Sequence, residues 1–222
     1  MMQAARMKPG LYIALAGAML LAACASSPPP PMAVVEITDK ICDAEPDLLT
    51  PQALAPEKPK KLSDEIYQFK NDTPCFTKGG LSTNYMVFSL PSQTENLALT
   101  IGGLKAQHRT LAADIAILNE EGEITRRFDR EKYMDIGSVF GVQFRPRDGE
   151  AFVLVTTDPE RVGEAVVSHE TRLLQSQGYT GTGGSYTTFS GAESLSSRTF
   201  SHEGMLRIRV QALKGKIGDP NA

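Results

Sequence analysis

The stretch YMVFSLP, residues 85–91, and the stretch LALTIGG, residues 97–103, decide the fold class of this chain. In both stretches, larger apolar residues occupy every second position. This period of two residues is that of a β-strand, whose successive side chains point to opposite faces. Pro91 ends the first run, and Gly102-Gly103 is expected to break the second. The two stretches therefore predict two short strands joined by a loop.

Further strands follow on both sides of short turns. Asn119 to Gly122 and Arg147-Asp148-Gly149 have the composition of turns between antiparallel strands. The alternating segments around them are 115–118, 124–128, 139–145, 151–157 and 204–213. Short strands at this spacing favour an antiparallel sandwich or barrel over alternating β and α units. We predict a mainly β domain over residues 62–213, an antiparallel, jelly-roll-like β-sandwich, with a tail at 214–222.

One helix and one loop are predicted inside this domain. Asp158-Pro159-Glu160 has the composition of a helix start, and apolar residues then recur at spacings of three and four. These features predict a helix over about 159–177, with His169 packing on its apolar stripe. Residues 178–203 are rich in Gly, Ser and Thr, which predicts a mobile surface loop.

The first residues have the pattern of a bacterial lipoprotein signal. Arg6 and Lys8 precede an uncharged apolar run at 11–21, which is shorter than the roughly 20 residues of a membrane-spanning helix. Leu-Ala-Ala-Cys at 21–24 matches a lipobox, so we expect cleavage after residue 23 and diacylglycerol on Cys24. The alternative is an ordinary secretion signal with an incidental cysteine. Because Ala25 is not aspartate, the expected location is the periplasmic side of the outer membrane.

A proline-rich segment follows the cysteine. Residues 24–61 contain the run Ser26-Ser-Pro-Pro-Pro-Pro31 and end in a charged stretch, which is the composition of an extended linker with at most one short ordered piece near Cys42. This linker is expected to hold the domain away from the membrane. Cys42 and Cys75 remain as an even pair in an oxidising compartment, which predicts a disulfide, with free thiols or a metal pair as alternatives.

Composition excludes several classes of function. Removing Arg6 and Lys8 changes the formal charge from −3 to −5, which argues against nucleic acid as a partner. The three histidines, His108, His169 and His202, are isolated rather than set at metal-ligand spacing. We therefore predict no metal, no cofactor and no nucleic-acid partner.

Several strands resemble those of a known family. Phe88-Ser-Leu-Pro91, followed in order by the segments 97–101, 113–118, 151–157 and 203–210, is similar to the maltose-operon periplasmic protein family (MalM-like). The resemblance covers about residues 80–212 and consists of structural strands. It implies a periplasmic protein associated with carbohydrate transport, and it carries over no catalytic residue. The lipobox and the cysteine pair depart from the family pattern.

No catalytic motif is evident, so we predict that the protein is not an enzyme. Gly181-Thr-Gly-Gly184 lacks the strand and the Gly-Lys-Ser/Thr of a phosphate-binding loop. Two carboxylates are enough for glycoside hydrolysis, and the candidates are Asp114, Asp129, Asp135 and Asp148. Any acidic protein offers such pairs, which leaves a hydrolase as the weakest of three hypotheses.

The first hypothesis is a non-catalytic accessory module for maltodextrin-type transport, binding a carbohydrate or an outer-membrane porin or transporter. Its candidate stacking residues are the aromatics Tyr133, Tyr179, Tyr186 and Phe189, and the alternative for each of them, which we favour, is packing under a loop. The absence of tryptophan weighs against direct sugar binding. The second hypothesis is an envelope structural or assembly lipoprotein that presents its sandwich to a protein partner.

Overall fold

The structure, a computed structural model, describes five stretches of the chain, which are 31–37, 40–54, 62–91, 97–106 and 108–213. Within 165–213 the side chains of 168–173 and 194 are not described. These stretches form fourteen strands and a single 3-10 turn, Arg130–Lys132. The described residues include no helix long and apolar enough to cross a membrane. The mainly β prediction is confirmed.

Two sheets form the body of the domain. The strands of the first sheet, in spatial order, are β1 (Gln52–Ala53), β4 (Leu81–Ser89), β11 (Phe152–Thr157), β7 (Ala113–Leu118) and β8 (Ile124–Arg127), with β3 (Cys75–Lys78) also paired to β4. Those of the second are β2 (Ser63–Phe69), β14 (Gly204–Ala212), β5 (Leu97–Leu104), β10 (Val139–Phe144) and β9 (Met134–Ile136). Apart from the parallel pair of β1 with β4, neighbouring strands in these two sheets are antiparallel.

The strand order is that of a jelly roll. When the eight principal strands β2, β4, β5, β7, β8, β10, β11 and β14 are numbered one to eight along the chain, the sheet orders become 1-8-3-6 and 2-7-4-5. This order arises from two Greek keys and leaves each sheet antiparallel. The predicted jelly-roll-like sandwich is therefore confirmed. A third sheet, of β6 (Arg109–Leu111), β13 (Ser185–Ser201) and β12 (Ala165–Tyr179), lies outside this scheme.

The core lies between the two sheets. Phe88, Ile117 and Val153 of the first sheet and Ile101 and Leu206 of the second belong to one cluster of buried side chains. Alternation explains this cluster, because every second residue of a strand faces the same layer. The intervening residues of the first sheet form a second, smaller cluster on its opposite face.

The N-terminal segment covers that opposite face, which corrects the prediction of a linker over 24–61. Leu48 packs on the smaller cluster, and Leu54 belongs to the main core with 4% of its surface exposed. The first sheet presents apolar side chains on both faces, so its outer face requires a cover. Residues 40–54 supply part of it, and proline content did not prevent a short strand, β1, from pairing with β4.

The sequence predicts that Gly102-Gly103 ends its strand. This prediction is wrong, because β5 continues to Leu104. A Cβ on Gly103 would lie 2.6 Å from the carbonyl oxygen of Leu111. The glycine is needed because β6 passes directly over β5 at this point. Glycine in a strand marks such close backbone approaches as well as strand ends.

The predicted helix at 159–177 is wrong. Asp158 Oδ1 accepts the N–H of Glu160 at 3.1 Å, as a helix cap does, but Gly163 has φ +90° and ends the turn. Residues 165–179 then form β12, because β13 offers a backbone partner along its whole length. The predicted loop at 178–203 is wrong for the same reason, since 185–201 is the pairing strand.

Candidate functional site: a two-stranded arm

The most prominent feature outside the sandwich is an arm made of β12 and β13. The two strands pair antiparallel in fifteen rows, from Ala165 opposite Thr199 to Tyr179 opposite Ser185. Fourteen steps at about 3.3 Å per residue give an arm about 45 Å long. It is inserted in the connection between β11 and β14, the last two strands of the jelly roll.

A tight turn closes the tip of the arm. The N–H of Thr180 donates to the carbonyl of Gly184 at 2.7 Å, and the N–H of Gly184 donates to Thr180 Oγ1 at 2.9 Å. Gly183 has φ +84°, a left-handed conformation that favours glycine. The Gly-Thr-Gly-Gly run at 181–184 is thus the turn of a hairpin, and its glycines serve backbone geometry.

The root of the arm is fixed to the domain by backbone pairing. β13 pairs parallel with β6 from Thr199 to Ser201, and the N–H of Phe200 donates to the carbonyl of Glu164 at 2.9 Å. β6 itself lies against the second sheet at Gly103. The first rows of the arm are therefore held by the sandwich.

Arg161 adds a side-chain anchor at the root. Its guanidinium carbon lies 4.1 Å from the ring centroid of Phe200, 5.4 Å from that of Phe140 and 5.7 Å from that of Tyr133. Only 8% of Arg161 is exposed, and this burial lowers the pKa of its guanidinium, which stays charged at neutral pH. A cation enclosed by three rings ties the turn before β12 to the end of β13.

The N-terminal segment reaches the same root. The N–H of Val34 donates to Ser201 Oγ at 2.8 Å, and the N–H of His202 donates to the carbonyl of Val34 at 2.9 Å. Arg109 donates to the carbonyl of Met32 at 3.0 Å. The chain that follows the expected lipid site is thus attached beside the arm.

A buried polar cluster links this root to the first sheet. Thr157 Oγ1 lies 3.3 Å from His202 Nδ1 and accepts the N–H of Asn84 at 3.1 Å. Lys40 Nζ donates to Asn84 Oδ1 at 3.0 Å. Burial lowers the pKa of both His202 and Lys40. Since each of these groups has a hydrogen-bond partner, the cluster fixes the N-terminal segment in place.

The arm takes no part in the hydrophobic core. Among the described side chains, no apolar residue between 166 and 199 is buried. Large apolar side chains on the arm instead face solvent, with 54–80% of their surface exposed, and they are Val167, Leu174, Tyr179, Tyr186, Phe189 and Leu195. The pairing register places four of them, Val167, Tyr179, Phe189 and Leu195, on one face.

The outer part of the arm carries no charge. Residues 173–192 contain no Asp, Glu, Lys, Arg or Pro. Cross-strand contacts there are polar and neutral, such as Ser176 Oγ to Thr188 Oγ1 at 2.8 Å, and the ring of Tyr186 covers Gly178. An exposed, uncharged ribbon with apolar side chains on one face is the surface of this domain best suited to contact another molecule.

The residues proposed from sequence are distributed as follows. Cys24 lies outside the described residues. Cys42 and Cys75 form the predicted disulfide, with an S–S distance of 2.06 Å, and this bond pins the N-terminal segment to β3. Its loop length corresponds to about 3–4 kcal/mol of stabilisation in the chain-entropy model.

The four aromatic candidates separate into two groups. Tyr133 is buried, and its hydroxyl accepts the N–H of Ile115 at 2.8 Å, so it is a packing residue and not a surface stacking residue. Tyr179, Tyr186 and Phe189 are exposed on the arm. Sequence reasoning missed the arm itself, although the alternation of Tyr186, Thr188 and Ser190 with residues of the opposite face was a strand signal.

Among the described residues, two of the candidate carboxylates lie in separate ion pairs. His169 is opposite Leu195 in β12 rather than on a helix, and the carbonyl of His108 accepts the N–H of Thr199 at 2.9 Å. Asp114 pairs with Lys78 at 3.1 Å, and Asp135 pairs with Lys105 at 3.2 Å. Within the described part of the chain, no three His, Cys, Asp or Glu residues come together as a metal site.

Comparison with known proteins adds no neighbour. No protein-family model, no curated protein and no solved structure matches the chain significantly.

Proposed function

We propose that this chain is a lipid-anchored, non-catalytic envelope protein that uses its arm to contact a protein partner. The observation that carries the proposal is the arm, whose fifteen paired rows contribute no described apolar side chain to the core. A two-stranded ribbon is only marginally stable in water without a packed face. A bound protein would supply contacts that the arm lacks, at its open strand edges or on the face that carries Val167, Phe189 and Leu195.

The proposed location is the periplasmic side of the outer membrane, with lipid on Cys24. The disulfide between Cys42 and Cys75 supports an oxidising compartment. The attachment of Met32 and Val34 at the root of the arm is consistent with a short tether. Seven residues lie between Cys24 and Met32, and the eight steps from one Cα to the other can span at most about 28 Å.

A second candidate is an accessory role in maltodextrin-type transport, as the resemblance to the maltose-operon periplasmic protein family implies. Tyr179 and Phe189 support it, because both are exposed on the same face of the arm and offer rings for stacking on a sugar. Direct binding predicts that maltodextrins raise the melting temperature of the protein by mass action. If no glycan in a panel changes the melting temperature, direct sugar binding is wrong, and a role in transport would require a porin or transporter as partner.

The test of the main proposal is photo-crosslinking in intact cells. A photoreactive phenylalanine analogue at Phe189 should form a covalent product with a protein. The same analogue at Met134, which is similarly exposed at 56% but lies on β9, is the matched control. Products at Phe189 and none at Met134 support the arm as the contact element. A folded protein that gives no product at Phe189 would falsify the proposal.

A further inference from the structure

We propose that the partner of the arm is the arm of a neighbouring copy of this chain, so that adjacent arms share one continuous sheet. The inference rests on the proposed function, because it names the protein that the arm contacts. It requires that both long edges of the arm be open, that they lack the usual protection against pairing, and that neighbouring copies present them suitably.

Both edges of the arm are open. Among the described strands, β12 pairs only with β13. The opposite edge of β13 pairs with β6 over Thr199–Ser201 and with no described strand over the rest of its length. Beyond the root, each edge therefore presents a row of backbone N–H and C=O groups for a further strand.

The arm lacks the protection that the sandwich edges possess. The edge strands of the two main sheets are either very short, like the two-residue β1, or charged. β2 carries Asp64 and Glu65, β8 carries Arg126 and Arg127, and β9 carries Asp135. Short length and charge are the devices that keep edges from pairing with other chains. Residues 173–192 have neither device on either strand.

A second copy matches these edges in chemistry and length. A strand that covers the outer arm must be long, uncharged and rich in β-forming residues, and the arm itself has these properties. A charged peptide would place its charges against a neutral surface without partners. Anchoring on one membrane would also keep copies at a common height, which raises their effective concentration.

The two open edges determine how the arms associate. A symmetric contact of β12 with β12 covers one edge of each arm and leaves both β13 edges exposed. A head-to-tail contact of β12 with the neighbour's β13 covers every edge, and the two strands are antiparallel when the arms point the same way. We therefore infer a head-to-tail series of arms.

The arrangement can be tested by disulfide formation between two co-expressed full-length chains with different epitope tags. One chain carries Gln175→Cys in β12, and the other carries a single cysteine at one of the positions 185–191 in β13. Both regions are exposed and paired in the arm. Because a disulfide requires Cβ atoms about 4 Å apart, only directly adjacent strands react. The expected product contains both tags at one or two adjacent β13 positions.

Each alternative result has a distinct meaning. Disulfide dimers from the Gln175→Cys chain alone would show symmetric pairing and overturn the head-to-tail inference. If no position reacts, while the photoreactive group at Phe189 captures a different protein, self-association is wrong and the proposed function stands. If neither experiment gives a product from a folded protein, both proposals are wrong.

A charge variant provides an independent measurement. Gln175→Lys/Gln177→Lys places two charges on the β12 edge, whereas Gly181→Lys/Thr182→Lys adds the same charge to the turn. Sedimentation of the detergent-extracted full-length protein should show single chains for the strand variant and larger assemblies for the turn variant. Equal sedimentation of the two variants would contradict pairing through the strand edges, since lysine protects edges from pairing.

Discussion

Arg161 shows how a single buried side chain can hold the arm to the domain. Its guanidinium carbon is 4.1 Å from the Phe200 ring centroid. The guanidinium lies between the rings of Phe200, Phe140 and Tyr133. Arg161→Ala should lower the free energy of unfolding by about 2 kcal/mol, because a desolvated cation–π contact and its packing are both lost. Urea unfolding measures this loss, and hydrogen exchange should show faster opening of the first rows of the arm.

The neighbouring Arg130 is the matched control. It pairs with Asp158 and Glu160 on the same turn, but 51% of its side chain is exposed. Arg130→Ala should change the free energy of unfolding by no more than about 0.5 kcal/mol, since exposed pairs contribute little. Similar losses for the two variants would show that the aromatic enclosure of Arg161 is not the source of its effect.

Asp64 provides a prediction about pH. Hydrogen bonds from Arg207, at 2.5 and 2.6 Å, lower the pKa of this carboxyl to about 2. Because the folded pKa is below the unfolded value of about 3.9, the pair stabilises the protein above about pH 4, and this contribution is lost as the pH falls through about 2. The pair is on the surface, so its expected contribution is at most about 1 kcal/mol.

Asp64→Asn should therefore be less stable than the wild type at pH 6, and the difference should decrease as the pH falls through about 2 and disappear below it. Urea unfolding over a pH series measures the difference between the two proteins, in which the other carboxyl groups cancel. Asp148→Asn, in an exposed turn, is the control and should follow the wild-type curve. A difference between Asp64→Asn and wild type that is constant with pH would contradict the role assigned to the Arg207 pair.

At the scale of elements, the crossing of β5 and β6 decides how the arm is mounted. A Cβ on Gly103 would lie 2.6 Å from the Leu111 carbonyl oxygen and 2.7 Å from Thr110 Oγ1. Gly103→Ala should cost about 1–3 kcal/mol, because β6 must move away from the sheet. Since β6 pairs with the end of β13, the root of the arm should also exchange its amide hydrogens faster.

Gly191→Ala is the matched control, because a Cβ at that position in β13 meets nothing within 4 Å. The free energy of unfolding should change by less than about 0.5 kcal/mol. If Gly103→Ala were as stable as Gly191→Ala, the close approach of β6 to β5 would not be a constraint on the fold.

The elements also show where sequence reasoning succeeds and fails. Residues 85–91 and 151–157 are apolar along most of their length because each faces buried layers on both sides, so their strands could be predicted. The arm could not be predicted in the same way, since it faces solvent and its sequence has no burial pattern. Its strand conformation comes from fifteen rows of backbone pairing, which outweigh the helical spacing in 162–173.

The packing of segment 40–54 on the sandwich is difficult to predict from sequence for a related reason. Its prolines and charges are typical of linkers, while the signal for packing consists of isolated residues such as Leu48, Leu54 and Cys42. These contacts join positions far apart along the chain, and no local periodicity reveals them. Only the cysteine pair gave a correct indication, because it predicted a covalent link to residue 75.

At the scale of the whole molecule, the docked N-terminal segment shortens the proposed tether. Among the described residues, Met32 is the first with a hydrogen bond to the domain, so seven residues, rather than nearly forty, lie between this contact and the proposed lipid on Cys24. A tether of at most about 28 Å is shorter than the arm, which is about 45 Å long. If Cys24 carries the proposed lipid, this tether limits the distance between the root of each arm and the membrane.

Cys24→Ala tests this arrangement as a whole. The variant should appear in the soluble periplasmic fraction with its Cys42–Cys75 disulfide intact, because the proposed lipid site precedes both cysteines of that bond in the sequence. Loss of the anchor also removes the high effective concentration at the membrane, so the yield of disulfides between arms should fall at least tenfold. Cell fractionation and the two-tag crosslinking assay measure the two effects separately. A Cys24→Ala protein that still sediments with membranes and crosslinks at the wild-type yield would contradict both the lipid anchor and its role in bringing the arms together.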